Sequence, residues 1–196
     1  MKSRAFFTSL IVALGLGVGA QAADTYKIDA VHSNVGFAVT HLVISTVKGK
    51  FKEISGEVSL EGNTITDAKG TIQTKSIDTG NEKRDGHLRS PDFFNAEKFP
   101  TITFQSKRVE KKGNETVLVG DYTMHGVTKE ISLPVKVNGP VKDPWGNSRI
   151  GLQAKITISR KDYGMTWNQA LETGGVVVSD DVEIEINAEA TKMAAK

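Results

Sequence analysis

The stretch RDGHLRSPDFF, residues 84–94, brings Asp85, His87 and Arg89 close together beside Asp92 and two phenylalanines. A histidine flanked by a carboxylate and a guanidinium is material for general acid–base catalysis. The spacing argues against that use. At i, i+2 and i+4, His87 shares no helical face with its charged neighbours, and no serine, cysteine or second acid is placed as a nucleophile. The same residues suit a folded corner. Ser90 offers a capping hydroxyl, Pro91 fits a first helical position, and Asp92 suits the positive end of a helix dipole, which predicts a short helix from Ser90. Asp85 can cap the preceding turn in the same way. Phe93 and Phe94 then swing inward, and Phe99, kept extended by Pro100, leads into a strand.

Metal chemistry finds little support. The histidines are His32, His41, His87 and His125, no two closer than nine positions, and the chain has no cysteine. A zinc site takes three or four ligands, often with a close pair. His32 and His41 differ in parity, so an unbroken strand points them to opposite faces. Hydrogen-bonded structural histidines are expected, with no metal and no cofactor. Asp162-Tyr163-Gly164 matches a kinase magnesium loop only in letters, because the chain has neither a glycine-rich phosphate loop nor a catalytic loop. Tyr163, Met165 and Trp167 instead alternate over a pocket or core.

The elements that would position these residues have a period of two. Val35, Phe37 and Val39 alternate in NVGFAVTHLV, and Ile102 and Phe104 in PTITFQS. Ile131, Leu133, Val135 and Val137 continue the pattern, as do Ile150 to Ile158 and Val182, Ile184 and Ile186. This is the mark of antiparallel strands with one dry face. Gly, Asn and Pro in EGNT, KKGNE, MHGVT and NGPVKDPWGNS reverse the chain at hairpin distances. Helix is expected only as short turns within 79–98 and 160–173. The fold class is all-β, one domain of about eight or more strands, and the alternation alone suits a closed barrel or a sandwich.

Residues 1–22 read as a cleaved signal peptide. Lys2 and Arg4 precede the apolar run LIVALGLGV, and Ala20-Gln21-Ala22 is a small-x-small cleavage signal. The run is shorter than the roughly 20 residues of a spanning helix, so stable membrane insertion is not expected. The compartment is then the periplasm. Losing Lys2 and Arg4 from 25 basic and 23 acidic residues leaves a formally neutral chain. Neutrality offers no electrostatic footprint for nucleic acid.

Taken in order, YKIDAVHSNVGFAVTHL, VKGKFKEISGEV, RDGHLRSPDFFNAEKFPTITFQS, HGVTKEISLPV and ISRKDYGM resemble the YceI-like family over roughly residues 25–190. The resemblance implies an extended, lipocalin-like antiparallel β-barrel over 23–190, with short helical crossovers and a C-terminal tail at 191–196. It further implies an apolar lumen for an isoprenoid or similar long-chain lipid such as a polyprenyl, quinone or fatty amide. No catalytic residue is carried over, and homodimers occur among such proteins. Lumen candidates are Phe37, Val39, Phe93, Phe94, Phe99, Ile102, Phe104, Leu133, Ile156, Ile158, Met165 and Trp167. Candidates for a lipid headgroup are His41, Arg84 and Arg160. The competing readings are a stress protein whose barrel is filled by its own side chains, and an enzyme acting on an isoprenoid lipid.

Overall fold

The period-two runs form strands in the computed structural model, which describes residues 23–113, 115–172 and 174–194. The signal peptide expected over residues 1–22 lies outside the described residues. The chain runs through β1 (Asp24–His41), β2 (Ser45–Phe51), β3 (Ile54–Glu61), β4 (Thr64–Gln73) and β5 (Ile77–Asp78) to helix α1 (Glu82–Arg89). It continues through β6 (Thr101–Lys112), β7 (Glu115–Met124), β8 (Val127–Lys142), β9 (Ser148–Ser159) and β10 (Val178–Lys192). Single 3-10 turns occupy Thr74–Ser76 and Arg160–Tyr163.

Neighbouring strands pair antiparallel, and β1 returns to pair with β10, which closes the sheet into a barrel. β2 and β3 act as one broken strand along β1: Phe51 pairs with Val35, and Val58 with Tyr26. β5 continues β4 in the same manner, with Ile77 opposite Phe51. Eight staves therefore enclose one interior.

The two expected strands TYKIDA and NVGFAVTHLV are one strand, β1, with a register shift between Asp29 and Asn34. Asp29 braces this irregularity. Its carboxylate accepts from the Val31 amide at 3.1 Å, pairs with His32 Nδ1 at 2.9 Å and receives Arg149 Nη1 at 2.9 Å. Arg149 also reaches Asp143 at 2.9 Å and Glu189 at 3.2 Å, tying β1, the β8–β9 hairpin and β10 together.

Two boundaries differ from expectation. The tail begins at Met193, because Thr191 and Lys192 pair with Lys27 and Tyr26. The first residues of β1 would otherwise leave backbone groups unpaired along one side. The helix precedes Ser90 instead of starting there. Asn81 caps α1, its Oδ1 accepting from the Arg84 amide at 3.0 Å, and Ser90 is the C-cap. Pro91 disfavours helical backbone at Ser90, so the helix stops where a new one was expected.

Buried side chains form two clusters. Tyr26, Leu60, Ile65, Leu118, Ile150 and Leu152 belong to one. Phe51, Ile77, Ile102, Met124, Ile158 and Tyr163 belong to the other, at the end where α1 lies. The outer face is charged: Lys155 pairs with Glu183 at 2.8 Å across β9 and β10. Apolar inside and charged outside is the reverse of a lipid-embedded barrel. Among the described residues no helix is long and apolar enough to cross a membrane.

Candidate functional site

Eight strands can close tightly enough for side chains alone to fill the interior. Here they do not fill it. Inward positions on facing staves are small, with Ala68 and Gly70 on β4, Ala154 on β9 and Ala188 on β10, all bordering a cavity of about 250 Å³. Phe104, Ile156, Ile184 and Ile186 point inward yet are only partly buried, because they border that space. Along β10 the wall runs from Val178 to Ala188. That is roughly 33 Å of strand at about 3.3 Å per residue. The cavity is long, narrow and almost entirely apolar.

Of the lumen candidates, Phe37, Val39, Phe93, Phe94, Ile102, Phe104, Leu133, Ile156, Ile158 and Met165 line this cavity. Phe94 packs edge-on against Phe51, with ring centroids 5.7 Å apart. Phe99 and Trp167 are not part of the wall. Phe99 meets His125 edge-on, with ring centroids 4.7 Å apart. It also presses on Gly126, whose missing Cβ leaves the room, since one there would meet the ring at 2.4 Å. Trp167 covers Phe93 and His87, each with its ring centroid 5.1 Å away. Aromatic character marked both residues, but their partners come from distant segments.

The headgroup candidates have other duties. His41 ends β1 opposite Ser45 and Val178. Arg84 donates to the Thr79 hydroxyl at 2.8 Å and the Thr79 carbonyl at 2.9 Å. Arg160 does border the cavity, but it is 3 % exposed and its donors are engaged. Nε donates to the Ser179 carbonyl, Nη1 to those of Met165 and Trp167, and Nη2 to the Val178 carbonyl and Asp180. These account for all five N–H groups of a guanidinium. Burial lowers its pKa, with Asp180 opposing that shift.

The charged cluster near α1 disperses. Asp85 is buried and accepts from the Thr79 amide at 2.9 Å and hydroxyl at 2.6 Å, tying down the turn before the helix. His87 faces outward to Asp92 at 2.9 Å, and Arg89 donates to the carbonyls of Lys75 and Ile77. The three share no focus. His125 Nδ1 lies 2.9 Å from the Tyr163 carbonyl, and no group of three or more His, Asp or Glu among the described residues could hold a metal ion.

Residues 26–190 match the profile described as the YceI-like domain. The chain belongs to the YceI-like family. A UPF0312 protein of Staphylococcus aureus is 42% identical over 170 residues, covering 84% of this chain and 95% of that protein. The Campylobacter jejuni YceI protein superposes with a TM-score of 0.69 at 28% identity, covering 96% of this chain and 100% of that one. A polyisoprenoid-binding domain from Saccharophagus degradans, implicated in plant cell wall breakdown, gives 0.65 at 18% identity, covering 86% and 98%. At that identity it shares the fold.

The YceI-like barrel also brings residues to its cavity that the sequence reading passed over. Leu88 contributes from α1, Phe51 from β2, and Ile184 and Ile186 from β10. The alternation of β10 already marked the last two as inward. Tyr122, on β7, was hidden because Val117, Leu118 and Val119 are all buried and blur the pattern. It lines the cavity, and enclosure pushes its phenol pKa well up.

Proposed function

We propose that this YceI-like protein binds an isoprenoid or similar long-chain lipid inside the barrel and carries it through the periplasm. The observation that supports this is the elongated apolar cavity. Each buried methylene contributes about 0.8 kcal/mol, so ten of them supply about 8 kcal/mol before any polar contact forms. That corresponds to roughly micromolar affinity. Selectivity then rests on tube length and width, and neighbouring chain lengths compete closely. The shared barrel of the polyisoprenoid-binding domain from Saccharophagus degradans supports the same ligand class. The periplasmic setting is supported by the leader expected over residues 1–22. Binding is favoured over catalysis because Asp85, His87 and Arg89 turn to separate partners.

Native mass spectrometry of protein purified from its own source tests this reading. The expected result is an adduct that organic extraction identifies as a lipid. Protein that stays empty when offered polyprenyl lipids and quinones overturns it.

A further inference from the structure

Tyr122 is a polar side chain in an apolar tube. It points inward from β7 beside its cross-strand neighbour Phe104, and both border the cavity. Its ring meets Tyr163 edge-on, with centroids 5.5 Å apart. Its hydroxyl donates to the Met124 thioether, at 3.5 Å. A thioether is a weak acceptor, so this proton lacks a good partner. Other polar residues at the wall do not compete for a guest. Ser55, Lys69, Thr71 and Thr103 alternate with the inward Ile54, Gly70, Ile72 and Phe104 and send their side chains outward. The donors of Arg160 are already engaged.

A phenylalanine would pack here without enclosing an under-partnered hydroxyl. Resting on the lipid-binding reading above, we propose that Tyr122 is a specificity-determining residue that donates a hydrogen bond to an acceptor oxygen on the bound lipid. Guests that carry an acceptor oxygen are thereby favoured over pure hydrocarbons, and a prenyl quinone serves as a probe of the first kind. Enclosure keeps the phenol protonated, and therefore a donor.

The test compares wild-type protein with Tyr122→Phe, using a short-chain prenyl quinone and squalene as probes. One neutral hydrogen bond corresponds to about a two- to tenfold change in affinity. The expected result is a fall of that size in the affinity for the quinone relative to that for squalene. The carbonyl infrared band of the bound quinone should also sit at lower frequency in wild type than in the variant. Equal effects on both probes, or an identical carbonyl band, overturn the role of Tyr122 while leaving lipid binding intact. Failure of wild type to bind either probe removes the binding reading itself, and this inference with it.

Discussion

Gly70 on β4 lies directly opposite Phe104 on β6, and the cavity occupies the space that a larger side chain at Gly70 would fill. A Cβ built at Gly70 meets only the Ser55 carbonyl oxygen, at 3.9 Å, which is ordinary contact. The backbone there needs no glycine; the hollow does.

Gly70→Leu is therefore expected to plug the tube without disturbing the barrel. Lipid affinity should fall at least tenfold in titration, while stability changes by no more than about 1 kcal/mol, the span of strand propensities. Normal binding by a well-folded Gly70→Leu protein would place the ligand elsewhere.

Arg160 is expected to act on stability, not on headgroup recognition. Arg160→Lys keeps the charge but loses the planar fork that serves the carbonyls of Ser179, Met165, Trp167 and Val178. Denaturant unfolding should show a loss of about 2–4 kcal/mol from carbonyls left without donors. Affinity per folded molecule should stay the same, whereas a headgroup contact would weaken it.

Asp85→Ala and His87→Ala separate structure from chemistry at the opening motif. The first leaves the amide and hydroxyl of Thr79 without their acceptor and should cost about 2–3 kcal/mol. The second removes an exposed ring from beside Phe93 and Trp167 and should cost less than about 1 kcal/mol. Calorimetry reads both values, and lipid titration should show both variants still binding.

Acid should loosen the brace on β1. The Asp29 carboxyl is held at about 2, below its ordinary 3.8, by hydrogen bonds from His32 and then Arg149. Asp143 is held at about 2 by Asn147 and then Arg149. Both folded values lie below the unfolded ones, so the stabilisation is full above 3.8 and disappears as pH falls through about 2. Thermal midpoints should drop across that window. Arg149→Met should start lower at neutral pH and lose less on acidification, and an unchanged acid profile in that variant would contradict the linkage.

The sheet was legible wherever one face is dry and the other wet. The alternation of Ile150 to Ile158 and of Val182 to Ile186 follows from a barrel interior that excludes water on one side only. What the sequence hid depends on contacts between distant segments. The irregularity after Asp29 is braced by Arg149, 120 positions away. The helix at Glu82 was displaced in the reading because Asn81 and Ser90 are comparable caps, and Pro91 can open a helix as readily as end the one before it. Phe99 and Trp167 announced burial without naming a face. Tyr122 follows a run, Val117 to Val119, that is buried on both faces, so the alternation that would have marked it as inward was obscured.

Because β1 finds partners in β10 on one side and in β2 and β3 on the other, the sheet closes on itself. A lipid held as proposed would have to part strand ladders to leave sideways, which makes an end of the barrel the easier exit. At one end Leu88, Phe93 and Phe94 close over the hollow from outside the ladder. For a lipid leaving by that end, residence time would follow how often the corner opens, so a durable container could still hand over its contents quickly.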